Sequence, residues 1–105
     1  MGQQAYTNAG DADVIDLSKC RNGVARLTTS DAGNGAAVFV IEVQGVSGKW
    51  VAIQLWNQKT STWVDNLTGL SQTGFADVSS AKRIRARRTD ASGTATVAAL
   101  EFRED

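Results

Sequence analysis

The chain has no histidine and no proline, and one cysteine among its 105 residues. Without histidine the commonest general base and the commonest metal ligand are missing, which removes Ser-His-Asp and Cys-His catalysis and most zinc or non-haem iron sites. The lone cysteine, Cys20, can form no intramolecular disulfide and can supply no Cys-cluster zinc site. It lies between Lys19 and Arg21 with no resolving cysteine, so it reads as a structural or incidental thiol. No apolar run approaches the length that crosses a bilayer. The opening MGQQAYTNAGDADV lacks the basic start and apolar core of a signal peptide, and it misses the small hydroxyl of a myristoylation signal. The reading is of a soluble product made in the cytoplasm, with no membrane partner.

What is present describes one folded domain. The composition is 42% hydrophobic and 21% charged, the balance of an ordinary globular protein rather than a disordered one. The dominant period is two, that of a strand, and helical spacing is weak throughout. In AAVFVIEVQ, residues 36–44, Ala37, Phe39, Ile41 and Val43 share one face. KWVAIQLW, 49–56, reads as one strand with Val51, Ile53 and Leu55 on one side and Trp50, Ala52, Gln54 and Trp56 on the other. KRIRARRT, 82–89, turns Ile84 and Ala86 inward and Arg83, Arg85 and Arg87 outward. TATVAALEF, 94–102, sets Thr96, Ala98, Leu100 and Phe102 against Val97, Ala99 and Glu101. Shorter strands are expected at 14–17, 24–28, 62–64 and 75–78.

Turn clusters separate these runs: RNG at 21–23, SDAGNG at 30–35, GVSG at 45–48, NQKTS at 57–61 and TDASG at 89–93. About seven or eight short strands at this spacing predict an antiparallel β-sandwich, jelly-roll or Ig-like. It would occupy residues 13–105, behind a polar arm at 1–12 that is flexible or ordered by a partner.

Three groups of residues invite a functional reading. The stretch KRIRARR holds five of the eleven basic side chains in a chain of zero net charge. Arg83, Arg85 and Arg87 recur about every 7 Å at strand rise and can meet phosphates or a carboxylate-rich partner. They can equally pair across the sheet with Glu101, Asp77 or Asp90. Residues 1–81 carry five basic and seven acidic side chains and residues 82–105 six and four. A nucleic-acid binder of this size shows a wider positive excess, so an asymmetric but neutral chain suits contact with another protein better.

The second group is Trp50, Trp56 and Trp63, which form either a sugar-stacking platform or rings packed within a hairpin or an interface. The third is acidic. Asp11, Asp13 and Asp16 lack the glycine and terminal glutamate of a calcium loop. Asp31 with Asn34 reads as a turn, and Asp65 and Asp77 have no evident carboxylate partner for glycosidase chemistry. No catalytic residue, metal ligand or cofactor site is assigned, and the chain is read as a non-enzyme.

The stretches FVIEVQG at 39–45, KWVAIQLWNQKTSTWVD at 49–65, SSAKRIRARRTDAS at 79–92 and SGTATVAALEF at 92–102 together resemble the small β-sandwich virion proteins of tailed bacteriophages. That family pairs a "TW" hairpin with an R-x-R-x-R strand and a closing S-G-T-A-T-V strand. NQKTSTW departs from the family in lacking the Asp-Gly or Gly-Gly that usually precedes the "TW".

The resemblance implies a role in the virion, most directly a capsid decoration or stabilising subunit. Its partners would be the major capsid protein or other virion proteins, and it would form a homo-oligomer, with a trimer favoured. KRIRARR would be the next-to-last strand, its Arg face free for a partner. Arg83, Arg85, Arg87, Trp50 and Trp56 are the expected partner-binding residues. A second expectation is a carbohydrate-binding or host-receptor module using the tryptophans. A third is nucleic-acid binding through the three arginines, weakening steeply with salt.

Overall fold

The period-two runs become strands because each places apolar side chains on one side of an extended backbone, where a second sheet can cover them. The computed structural model describes residues 4–6, 12–17, 23–33, 37–78, 81–90 and 96–104. Cys20, Asp11 and Asn34 lie outside them. Among the described residues there are eleven strands and no helix. The strands are β1 (Gln4–Tyr6), β2 (Ala12–Asp16), β3 (Gly23–Gly33), β4 (Val38–Gln44), β5 (Trp50–Ile53), β6 (Leu55–Asn57), β7 (Thr62–Val64), β8 (Leu67–Thr68), β9 (Thr73–Asp77), β10 (Arg83–Arg88) and β11 (Thr96–Glu104).

They form two antiparallel sheets. Sheet A has the order β1-β11-β3-β9-β6-β7; sheet B has the order β2-β10-β4-β5, with β8 also pairing β4. The topology follows from one rule. Working outward from the β6–β7 hairpin, β4 pairs β8, β3 pairs β9 and β2 pairs β10. Successive pairs alternate between the sheets, giving β2-β10-β4-β8 over β3-β9-β6-β7. This is the jelly roll, a long hairpin rolled on itself, and not the Ig-like alternative. Strands β1, β5 and β11 extend it.

Between the sheets lie Phe39, Ile41 and Ile84 from sheet B and Leu27, Leu55 and Leu100 from sheet A, all fully buried. Each contributes about 1.5–3 kcal/mol from burial alone. Gly74 sits where β9 passes the core: a Cβ there would stand 3.0 Å from Leu55 Cδ2 and 3.2 Å from Leu67 Cδ1.

The structure corrects the sequence reading in three places. First, residues 49–56 are not one strand: the chain leaves sheet B after Ile53 and enters sheet A at Leu55. Val51, Ile53 and Leu55, read as one side of that strand, differ in burial: Val51 is 56% exposed and Leu55 is fully buried. Second, Ser30–Gly33 continue β3 instead of turning, because β11 carries pairing out to Gly33 across a register shift between Thr96 and Ala98. Asp31 is therefore a strand residue. Third, eleven strands replace the expected seven or eight, through the split at Gln54, the two-residue β8, and β1. Strand β1 comes from the segment read as an arm and pairs β11, with Gln4 opposite Ala98.

Candidate functional site

The basic strand lies where expected, next to last, and its alternation is as read: Ile84 and Ala86 are buried, and Arg83, Arg85 and Arg87 face outward from sheet B. The face is not free, however. Register sets Arg85 opposite Glu42 on β4. Arg85 Nε donates to Glu42 Oε1 at 2.7 Å, Arg87 Nε to the same oxygen at 2.9 Å, and Arg87 Nη2 to Oε2 at 3.3 Å. Glu42 is 6% exposed. Burial alone would raise its carboxyl, but the hydrogen bonds from Arg87 and Arg85 and the two positive charges outweigh that and hold it below its ordinary value.

The Arg85 guanidinium also lies 4.2 Å from the centroid of the Trp50 ring, a cation–π contact. Arg83 is the most open of the three, its Nη1 3.4 Å from Gln44 Oε1. The expected partners were others. Glu101 takes Arg26 instead, and Asp90 takes Arg88.

Arg88 is on the inward side of β10 and is 0% exposed. Its Nε and Nη2 donate to Asp90 at 2.8 and 3.0 Å, and Asp90 Oδ1 also accepts from the Val38 amide at 2.9 Å. The pair ties the end of β10 to the start of β4.

The sheet switch at Gln54 separates the tryptophans. Trp50 belongs to sheet B, while Trp56 and Trp63 face outward from sheet A, paired across the β6–β7 hairpin. Their ring centroids are 5.5 Å apart and the planes meet at 73°, an edge-to-face arrangement. Asn57 builds the turn that brings them together. Its Oδ1 accepts from the Lys59 amide at 2.9 Å, its carbonyl accepts from the Ser61 amide at 2.8 Å, and Ser61 takes a left-handed φ of 53°.

Register then extends the tryptophan pair into a row. Trp63 is opposite Trp56, Trp56 opposite Phe75, Phe75 opposite Arg26, and Arg26 opposite Glu101. All five face outward from sheet A. Trp63 is 59% exposed and Trp56 37%. At the charged end of the row lies a shallow depression of about 620 Å³, lined by Val24, Arg26, Phe75, Glu101 and Phe102 among others. Phe75 and Arg26 are not read from the sequence as site residues, and Glu101 only as a partner for the basic strand, because a row across strands is set by register. The signal that could have found them is the outward parity of β3, β9 and β11.

Asp65 accepts from Gln54 Nε2 at 3.2 Å, and among the described residues no three of His, Cys, Asp or Glu cluster as metal ligands would.

No protein-family model matches the chain, and no curated protein sequence is similar to it. Solved structures do share its fold. The chain is similar to the SPBc2 prophage-derived protein YomS, whose crystal structure it matches with a TM-score of 0.71 over 97% of this chain and 94% of that one, at 9% sequence identity. At that identity the likeness is one of fold.

Proposed function

We propose that this chain is a bacteriophage virion structural protein that acts by binding and not by catalysis, as a capsid decoration or stabilising subunit. The observation that carries this reading is the jelly roll shared from end to end with a prophage-derived protein. The motif resemblance to small virion proteins points the same way.

The surface best suited to protein contact is the end of sheet B. It combines arginine, tryptophan and exposed aliphatic side chains, a composition favoured in interfaces. Val14 sits beside Arg85 at 47% exposure, and the β4–β5 turn raises Val46 at 92%. Arg83 and Trp50 flank them. A subunit docked there on the capsid protein stabilises the particle by mass action, because it binds the assembled lattice and not its separated parts. Homo-oligomerisation, as a trimer, would match a three-fold or quasi-three-fold lattice position.

The test is solution mass by light scattering, followed by co-sedimentation with capsids purified without the protein. An oligomer that saturates the capsids, and whose retention is lost on Arg83→Glu with the fold intact, supports the reading. A monomer that ignores capsids overturns it.

A further inference from the structure

The outer face of sheet A carries hydrogen-bonding atoms that the protein leaves open. Arg26 directs both Nε and Nη2 at one oxygen of Glu101, Oε1. Arg26 Nη1 and Glu101 Oε2 are left without a partner among the described residues. Both side chains are well exposed, at 50% and 41%. A free donor beside a free acceptor is the complement of two neighbouring hydroxyls, each of which donates and accepts.

Next to this clamp, in the same row, stand Phe75, Trp56 and Trp63. Neighbouring strands are about 4.8 Å apart, so the row from Glu101 to Trp63 extends about 19 Å, longer than any single pyranose ring. Sugars have apolar C–H faces and polar rims, the inverse of an aromatic platform that ends in a polar clamp.

The charges narrow the ligand further. The depression is lined by two basic side chains, Arg26 and Arg103, and two acidic ones, Glu101 and Glu104, so it presents no net positive charge to a phosphate chain. An apolar protein partner would bury Nη1 and Oε2 unpaired, at the cost of their desolvation. We propose that the row Trp63, Trp56, Phe75, Arg26 and Glu101 is a binding groove for a neutral oligosaccharide. The aromatics stack on its rings, and the Arg26–Glu101 pair grips a vicinal diol. Trp50, on the other sheet, takes no part.

The experiment is titration of the full chain with dextran, laminarin, mannan, chito-oligosaccharides and unphosphorylated lipopolysaccharide O-chains, followed by calorimetry and tryptophan fluorescence. The expected result is saturable binding of at least one of these, nearly unchanged between about 50 mM and about 500 mM salt. Trp63→Ala should weaken it about tenfold or more, Trp63→Phe should restore most of it, and Trp50→Ala should leave it within about twofold. Far-UV circular dichroism checks that each variant is folded. The proposal is overturned if none of the five binds, if binding collapses with salt, or if it survives Trp63→Ala. It is equally overturned if Trp63→Ala abolishes capsid retention or self-association and no glycan binds, which would assign the row to protein contact.

Discussion

The two outer faces of the sandwich hold similar ingredients, arginine, glutamate and tryptophan, and use them differently. On sheet B the groups close on one another: Glu42 takes both Arg85 and Arg87, and Arg85 covers Trp50. On sheet A the corresponding pair, Arg26 and Glu101, shares a single oxygen and stands in solvent beside a row of aromatics. Composition does not separate the two faces. Burial does, since a carboxylate withdrawn from water must be satisfied internally, whereas an exposed one can stay half-engaged.

That contrast can be broken in order of expected effect. The largest belongs to the inward side of β10. Asp90→Ala removes the carboxylate from a fully buried Arg88 and should cost about 3–5 kcal/mol, read as a lowered midpoint in urea unfolding. Next comes Glu42→Gln, which leaves two half-buried guanidiniums facing a neutral amide and should cost about 1–3 kcal/mol. Its counterpart on sheet A, Glu101→Gln, should cost about 1 kcal/mol or less by the same measurement.

The difference also has a pH signature. With its folded pKa held below the ordinary 4.5, Glu42 binds its proton less readily in the folded chain than in the unfolded one. The stability it contributes is therefore complete above about pH 4.5 and is lost as the pH falls through the lower folded value. Melting temperatures followed down from neutral pH should drop in the wild type below that point and fall less in Glu42→Gln. The smallest effects are expected at the exposed ends of each face. Trp63→Ala should change stability by about 1 kcal/mol or less, and Arg83→Ala by about 0.5 kcal/mol or less, both measured by thermal unfolding.

The sequence made the fold legible wherever a strand's two faces differ. Phe39 and Ile41 against Val38 and Val40, or Ile84 and Ala86 against Arg83 and Arg85, disclose their sides through alternation alone. It failed at Gln54, because alternation continues across the switch: Ile53 and Leu55 keep the same parity while the hydrogen-bonding partner changes from β4 to β7 and β9. Nothing in local periodicity records a change of partner.

The site was half legible for a related reason. The arginine alternation and the Trp56–Trp63 pairing are local or nearly so. Glu42, by contrast, lies 43 residues from Arg85, and Glu101 lies 75 from Arg26. Such pairs come into being when register is fixed over the whole roll, which no single strand determines.

The roll also leaves its open edges short. Sheet A is bounded by the three-residue strands β1 and β7. Sheet B is bounded by the five-residue β2 on one side and, along β4, by β5 and β8, of four and two residues. Among the described residues these outermost strands are too short to offer a long unbroken row of unpaired amides and carbonyls, the template on which one β-protein recruits another into a fibril, although β1 covers β11 only over Thr96–Ala98. At these short outermost strands crowded copies find little backbone to adhere to, which leaves recognition there to side chains on the faces.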